Sequence, residues 1–233
     1  MDSDGQRPPQ LQTPAPGEPP PRRGLSILGF PLRVDPFFFV TAWLIGGSRE
    51  PLWTLAWVAV VLFGVLAHEL GHAFAGRHLG LEPWIRLFAF GGMTGWGRPR
   101  PLSARQQIAI SFAGPAVGLA IGGLVLLGGL SGALAGAPSP LARVLTDVLW
   151  VNLGWGVLNL LPILPLDGGH IVSSAAEMAA GRRGRLAARA FSVVLTVVIG
   201  LWALSAGQWW ILILCAVFAF TNVQALRVEL GQS

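Results

Sequence analysis

Long apolar blocks separated by short polar or arginine-containing connections dominate the sequence from residue 36 onward. The clearest blocks cover residues 52–76, about 106–130, 141–164, 190–206 and 208–226, and a shorter block covers 36–47. A helix that crosses a bilayer needs about 20 predominantly apolar residues. The pattern therefore predicts an all-α polytopic membrane protein with about six transmembrane helices, the first of them in the short block.

The helical pattern breaks between the second and third blocks, in EPWIRLFAFGGMTGWGRPRP at residues 82–101. Apolar and other residues alternate over 84–90, two glycines follow, and a second short run ends near Trp96. This order is typical of a β-hairpin. A further short strand is predicted in GLSILGFPLRVD, 24–35, where Pro31 would confine it to a sheet edge. We expect a small membrane-associated β-hairpin or sheet beside the helices.

Residues 1–23 are rich in proline and polar residues and contain no apolar run of the kind found in a signal peptide. The sequence predicts a disordered cytoplasmic tail there and a membrane core over 24–228.

Composition agrees with a membrane protein, because 53% of the 233 residues are hydrophobic and only 12% are charged, with a mean hydropathy of +0.61. Soluble domains are about 25% charged. The chain has 16 arginines and no lysine, and its net charge is +5. The arginines flank the apolar blocks instead of clustering on one element, which excludes nucleic acid as a partner and indicates contact with lipid headgroups.

The arginines also predict the orientation of the chain, because cytoplasmic connections of membrane proteins carry an excess of basic residues. With the N-terminus inside, fourteen of the sixteen arginines lie in inner segments, and only Arg49 and Arg143 lie outside. We therefore expect a multi-pass protein of the cell membrane with both termini in the cytoplasm.

The second apolar block contains His68-Glu-Leu-Gly-His72, an H-E-x-x-H pattern. Residues four apart lie on one face of a helix, so both imidazoles can converge on one Zn²⁺ while Glu69 lies beside the site as general acid and base. Packed, hydrogen-bonded histidines would explain the same pattern in a soluble helix. Ionisable residues inside a membrane span, however, are costly and usually functional. His68 precedes Arg77 by nine residues, about 13 Å of helix, which places the site within the membrane.

A catalytic zinc site needs a third protein ligand and an open position. Asp167 follows a segment broken by two prolines, at a depth that matches the two histidines, and it is the preferred candidate. His170 could compete as a ligand, although support of a metal ligand or a contact with substrate suits its position better. Asp147 lies near the outer end of its span, and Glu82 is a weaker candidate.

Asn159 is an amide on the fourth predicted span, three residues before Pro162. It could hydrogen-bond a backbone carbonyl freed by the broken helix, or it could hold the extended backbone of a substrate. The segment SFAGPAVG, 111–118, carries small residues that permit close helix packing.

Together, HELGH at 68–72 and NLLPILPLDGG at 159–169 closely resemble the motifs of the site-2 protease family of intramembrane zinc metalloproteases. The resemblance covers about residues 24–226 and is that of a minimal prokaryotic-type member without PDZ or CBS domains. It implies one Zn²⁺ per chain, held by His68, His72 and Asp167, with Glu69 as the catalytic acid and base. It also implies a role of Asn159 in handling the substrate.

The segment FGGMTGW, 90–96, is similar to the family's membrane-associated hairpin, which is thought to pair with the substrate as an added strand. This resemblance makes Phe90, Gly91 and Gly92 candidate substrate-binding residues. AGPAVG resembles a family segment that often has asparagine where this chain has Gly118, so any hydrogen bond from that position is lost here.

The expected activity is hydrolysis of a peptide bond within or near the transmembrane segment of another membrane protein, in regulated intramembrane proteolysis. The expected partner is a single-span protein, with anti-sigma-type regulators as the family's example. The alternatives are a zinc carrier and a non-proteolytic protein that binds transmembrane segments. A carrier needs ligands along a path, whereas this chain offers one compact cluster. A non-catalytic relative should have lost Glu69 or a ligand.

Overall fold

The computed structural model of the chain describes residues 24–46, 50–97, 100–134 and 136–231. The predicted N-terminal tail, 1–23, lies outside these residues. The chain divides into two compact units that meet in sequence at Ser103 and Ala104.

A four-stranded sheet forms much of the first unit, with its strands in chain order. The strands are β1 (Leu25–Ile27), β2 (Phe30–Val34), β3 (Pro83–Phe88) and β4 (Gly91–Trp96). β1 and β2 are antiparallel, β2 and β3 are parallel, and β3 and β4 are antiparallel. The predicted hairpin is confirmed as β3 and β4, in a register that pairs Phe88 with Gly91.

The strand that contains Pro31 is not an edge strand, because β2 lies between β1 and β3. A proline fits in this interior strand because it lies outside the pairing with β3. Pro31 pairs with Ser26 of β1, whereas the parallel pairing with β3 begins one residue later, at Leu32. The proline therefore interrupts no pairing with β3, and the expectation of an edge position was wrong.

Two helices complete the first unit: α1 (Pro36–Gly46) and α2 (Pro51–His78). Pro51 occupies the first position of α2, where its missing N–H removes no helical hydrogen bond. The buried Trp57 indole of α2 donates to the carbonyl of Ala42 in α1 at 2.9 Å. This bond ties the short apolar helix to the long one that carries the histidines.

The described elements of the second unit are all helices, joined by turns and irregular segments. It contains α3 (Ala104–Leu130), α4 (Ser139–Leu149), a π-helical turn (Trp150–Gly154), α5 (Trp155–Asn159), α6 (Asp167–Ser205) and α7 (Trp209–Glu229). Small residues let α3 approach the π-helical turn closely. A Cβ added to Gly122 would lie 2.6 Å from Leu153, and one added to Gly118 would lie 3.2 Å from the carbonyl oxygen of Asn152. The predicted packing role of 111–118 agrees with this approach.

Five of the described helical segments are long and apolar enough to cross a membrane. They are Pro51–His78, Ala104–Leu130, Ser139–Asn159, Asp167–Ser205 and Trp209–Glu229. The first predicted block forms α1, whose 11 residues extend only about 16 Å. The predicted architecture, about six apolar helices with a small sheet, is thus confirmed, with one helix shorter than a bilayer span.

Helix α6 begins much earlier than the predicted span, which started at residue 190. Its helical structure extends from Asp167 and is interrupted only at Ala180 and Gly181, where Gly181 has a φ of +58°. Glycine accommodates this left-handed conformation without strain. The helix of 167–179 was missed because it carries too many polar residues to register as an apolar block.

Candidate metal centre

Helix α2 places His68 and His72 on one face, as residues four apart must lie. Their Nε2 atoms are 3.1 Å apart, and the ring centroids are separated by 4.8 Å. His72 is buried and His68 is half-buried. The two imidazoles therefore present their Nε2 atoms to a common point.

The third predicted ligand joins this pair. One ligand atom from each of His68, His72 and Asp167 lies within 4.8 Å of the other two. In the described parts of the chain, the group that could share a metal ion comprises these three residues and includes neither His170 nor Asp147.

The donor set fits zinc. Two nitrogen ligands at about 2.0–2.1 Å from a tetrahedral Zn²⁺ are separated by roughly 3.4 Å, close to the 3.1 Å between the two Nε2 atoms. Two histidines and one carboxylate are a ligand set of catalytic zinc sites, which keep a fourth position open. The three residues can therefore hold the ion that the sequence predicts.

Glu69 points away from solvent, with 5% of its surface exposed, and lies against β4. The Thr94 hydroxyl is 2.7 Å from Oε2 of Glu69 and 3.1 Å from the Glu69 carbonyl oxygen. A Cβ added to Gly92 would lie 2.5 Å from both Cγ and Oε1 of the glutamate. Gly92 and Thr94 are two residues apart and so face the same side of the strand, which is the side that packs on α2.

The close packing of β4 on α2 depends on further glycines. A Cβ added to Gly76 of α2 would lie 2.3 Å from the Trp96 ring, and one added to Gly95 would lie equally near the Trp84 ring. The two tryptophans fill the space that these glycines leave. As a result, the main chain of β4 runs directly beside the acidic side chain at position 69.

Asp167 opens helix α6, directly after the irregular segment 160–166. Its carboxylate lies in the first turn, where the positive end of a helix dipole favours negative charge. Gly168 and Gly169 let this turn fold back on the preceding chain. A Cβ on Gly168 would be 2.1 Å from the Leu160 carbonyl oxygen, and one on Gly169 would be 2.4 Å from the Ile163 carbonyl carbon.

Sequence reasoning missed two residues that hold this irregular segment. The Leu164 N–H donates to the Ser192 hydroxyl of α6 at 2.8 Å, and the Leu164 carbonyl accepts from the Asn222 amide of α7 at 2.5 Å. Ser192 and Asn222 are 1% and 2% exposed. Polar side chains within apolar helices were the signal, but the sequence does not say which backbone groups they meet.

The other predicted site residues are placed as follows. Asn159 is half-buried at the end of α5, and His170 is half-buried in the first turn of α6. Phe90 is 59% exposed at the turn that joins β3 to β4. The substrate-binding roles of these residues, and of Gly91 and Gly92, stay predictions.

Asn152 is a second buried amide that the sequence reasoning did not select. Its amide nitrogen donates to the Val148 carbonyl at 2.9 Å, and it lies in the π-helical turn opposite Gly118. The family position at which asparagine is often found is thus occupied here by a glycine that faces an asparagine.

The fold and the site define a membrane protein with several spans and a candidate zinc centre built on an H-E-x-x-H helix. Residues 135–204 match the family described as Peptidase family M50, a stretch that contains Asn159 and Asp167. The chain thus carries a peptidase M50 segment, and the resemblance predicted from its paired motifs is confirmed.

Individual relatives agree with this assignment. The chain is 34% identical to a protein named zinc metalloprotease Rip3 from Mycobacterium tuberculosis over 83% of its own length and 50% of the relative. It is 26% identical to zinc metalloprotease MJ0392 from Methanocaldococcus jannaschii over 64% of its own length and 44% of the relative. The chain therefore spans about half the length of the curated relatives it matches.

A solved structure shows the same fold. The site-2 protease from Methanocaldococcus jannaschii superposes with a TM-score of 0.59 over 86% of this chain and 92% of that one, at 23% sequence identity.

Proposed function

We propose that this chain is an intramembrane zinc metalloprotease that hydrolyses a peptide bond within or near the transmembrane segment of a membrane-protein substrate. The observation that carries this proposal is the group formed by His68, His72 and Asp167, whose ligand atoms lie within 4.8 Å of one another. Glu69, the neighbour of the first ligand, is buried against β4. In this proposal His68, His72 and Asp167 hold one zinc ion per chain.

A zinc ion in this site supplies Lewis acidity, which favours deprotonation of water and polarises an amide carbonyl. The proton is handled by Glu69. Because Thr94 donates its hydroxyl hydrogen toward Oε2, we assign Oε1 as the oxygen that takes a proton from the attacking water and delivers it to the leaving nitrogen. To carry the proton from the water to the leaving nitrogen, the carboxylate must stay in one place, and its contact with β4 holds it there.

Strand β4 is proposed to bind the substrate. A transmembrane helix hides its amides in its own hydrogen bonds, so the chain to be cut must unwind and needs new partners for its backbone. β4 stands at the end of the strand order and can accept an added strand through its main chain. Gly91 and Gly92 leave its backbone accessible beside Glu69, and the exposed Phe90 provides an apolar contact at the turn.

Asn159 and His170 are proposed to contact the substrate from the second unit. They flank the irregular segment 160–166 on its two sides, one at the end of α5 and one in the first turn of α6. An amide and an imidazole in this position offer both donors and acceptors to an extended peptide.

The proposed substrate class is a single-span membrane protein, such as a membrane-tethered anti-sigma-type regulator, processed in regulated intramembrane proteolysis. The distribution of arginines supports a location in the cell membrane with both termini cytoplasmic. Residues 24–228 form the proposed catalytic core.

Proteolysis can be tested by reconstituting the full chain in liposomes with a panel of tagged single-span proteins whose spans contain helix-breaking residues. We expect cleavage by the wild type and a loss of roughly 10²–10⁴-fold for Glu69→Gln. Glu82→Gln is the matched control, because Glu82 is an exposed glutamate outside the metal group, and it should cleave normally. Equal cleavage by wild type and Glu69→Gln would contradict the proposed role of the glutamate.

A further inference from the structure

We propose that Ser192 and Asn222 are positioning residues for the metal centre, which fix the Asp167 carboxylate by clamping the backbone of Leu164. The inference rests on the proposed zinc site but not on proteolysis. All of its observations lie within the second unit.

Leu164 lies in the segment 160–166, which separates α5 from α6 and contains two prolines. Prolines have no N–H, and backbone polar groups within a membrane protein must find partners inside the protein. Neighbouring peptide groups bond locally, as when the Ile163 N–H donates to the Leu161 carbonyl at 2.7 Å and the Leu166 N–H to the Ile163 carbonyl at 2.8 Å. Leu164 differs, because its N–H and its carbonyl oxygen both form hydrogen bonds with side chains.

The two side chains come from different helices. The Ser192 hydroxyl of α6 accepts from the Leu164 N–H, and the Asn222 amide of α7 donates to the Leu164 carbonyl. The second hydrogen of the Asn222 amide is donated to the Phe218 carbonyl at 2.8 Å. Since both partners of Asn222 are carbonyl oxygens, its nitrogen must face them, and the orientation of the amide is fixed.

The clamp is connected rigidly to Asp167. Leu164 precedes the aspartate by three residues, and the intervening chain turns directly into α6. The approaches of Gly168 to Leu160 and of Gly169 to Ile163 leave no room for a Cβ, so this turn cannot slide along the preceding segment. A displacement of the Leu164 backbone is therefore transmitted to the first turn of α6, where the carboxylate is attached.

Asn222 lies outside the region that matches the peptidase family. The matched peptidase region ends at residue 204, whereas Asn222 lies in α7 beyond it. Helix α7 thus contributes to the metal centre through one amide, without supplying a ligand.

The test is the zinc affinity of the purified full chain in detergent, measured by competition with a chromophoric chelator. Ser192→Ala removes the acceptor for the Leu164 N–H, and Asn222→Leu removes the donor to its carbonyl at similar volume. Loss of a group that orients a metal ligand weakens metal binding about 10–100-fold. We expect a loss in this range for both variants, with at least partial recovery in Ser192→Thr, which keeps the hydroxyl.

Thr196→Val is the matched control. Thr196 is fully buried one turn after Ser192, and its hydroxyl donates to the Ser192 carbonyl at 2.7 Å, within the helix. The substitution removes a buried hydroxyl at nearly constant volume without touching Leu164, and zinc affinity should stay within about twofold of wild type. Equal losses in Thr196→Val and Ser192→Ala would overturn the proposal, because they would indicate general destabilisation.

A double-mutant cycle separates the clamp from the ligand. In an Asp167→Ala background, Ser192→Ala should cause no further loss of zinc affinity, since the residue that it positions is gone. Additive losses would overturn the proposed route through Asp167. If Asn222→Leu fails to fold, Asn222→Ser, whose hydroxyl is too short to bridge to Leu164, carries the same expectation.

These outcomes distinguish the inference from the proposed function. If Asp167→Ala binds zinc as tightly as wild type, the ligand assignment fails and the clamp fails with it. If Asp167→Ala loses zinc while both clamp variants retain wild-type affinity, only the clamp is overturned. Failure of Glu69→Gln to affect cleavage would leave the zinc measurements unchanged and would overturn proteolysis alone.

Discussion

The Thr94 hydroxyl lies 2.7 Å from Oε2 of Glu69, so a side chain of the edge strand β4 holds the carboxylate that we propose as the catalytic acid and base. The same hydroxyl is 3.1 Å from the glutamate's own carbonyl oxygen. Its single hydrogen can be donated to one of these two oxygens at a time, and the shorter contact with a carboxylate is the stronger bond.

Thr94→Val should lower the cleavage rate by about tenfold or more, because a buried carboxylate without its donor loses about 1–3 kcal/mol of stabilisation and its fixed orientation. Zinc content should not change. Thr94→Ser keeps the hydroxyl and should restore most of the rate. Initial cleavage rates and zinc content of the three proteins check this prediction, and a wild-type rate in Thr94→Val would refute it.

Gly92→Ala should abolish cleavage while leaving the protein folded. Its new methyl group would lie 2.5 Å from Cγ and Oε1 of Glu69, and the glutamate would have to leave its position. Gly123→Ala in α3 is the control, because nothing lies within 4 Å of its added Cβ. Cleavage assays on both variants, with thermal unfolding as the folding check, test the prediction. Normal cleavage by Gly92→Ala would show that the position of Glu69 is not critical.

Zinc content distinguishes the ligands from the acid and base. We expect about one zinc per purified chain for the wild type and for Glu69→Gln, and clearly less for His72→Ala and Asp167→Ala. A chelator should remove zinc and activity together, and added zinc should restore both. Elemental analysis of the detergent-purified chains provides the measurement. Little zinc in a well-folded wild type would reopen the interpretation as a protein that only binds transmembrane segments.

Glu229, in the last turn of α7, should be important for stability. Its carboxylate lies 3.1 Å from Arg189 and 3.8 Å from Arg185, and each of these side chains is only 12–14% exposed. Glu229→Gln leaves the partly buried Arg189 guanidinium without the carboxylate that it pairs with, whereas Arg185 keeps its ion pair with Glu177 at 2.5 Å. The loss should cost about 3 kcal/mol. The unfolding temperature should then fall by roughly 6–12 °C.

Arg227→Gln is the control for this prediction, since Arg227 is an exposed charge two residues away on the same helix. Its unfolding temperature should match that of the wild type. An equal fall in both variants would contradict the prediction, because it would indicate a general effect of removing a charge near the end of α7 and not the loss of the ion pairs of Glu229.

The proposed orientation can be tested with single cysteines, because the chain has one natural cysteine, Cys215, which is buried. In a Cys215→Ala background, a membrane-impermeant thiol reagent should label Arg143→Cys from outside intact cells and should label Arg183→Cys only after permeabilisation. The opposite pattern would reverse the predicted topology.

The sequence was sufficient for the parts of the fold and site that depend on local pattern. The lengths of the apolar blocks predicted the helices, and the alternating residues followed by two glycines predicted the hairpin of β3 and β4. The four-residue spacing of His68 and His72 predicted two imidazoles on one face of a helix. Asp167 was also predicted, because a carboxylate beside proline-broken backbone in a membrane is rarely structural alone.

The contacts that hold these residues could not be predicted, because they depend on how distant segments pack. Ser192 and Asn222 are ordinary polar residues in apolar helices, separated from Leu164 by 28 and 58 positions. Thr94 is likewise 25 positions from Glu69. The helix of 167–179 was missed for another reason: its polar residues are paired or packed inside the protein, which hydropathy along the chain does not register.

The contact between β4 and Glu69 also limits how the specificity of such a protein could be redesigned. Grafting the hairpin of another protein onto this scaffold would replace both the proposed substrate-binding surface and the support of the carboxylate that we propose as the catalytic acid and base. A graft that lacks glycine at position 92 should therefore be inactive toward every substrate, and one that lacks a hydroxyl at position 94 should be slower toward every substrate. Neither graft would merely change the preference among substrates. Specificity changes in this chain are better sought at Phe90, whose side chain is 59% exposed.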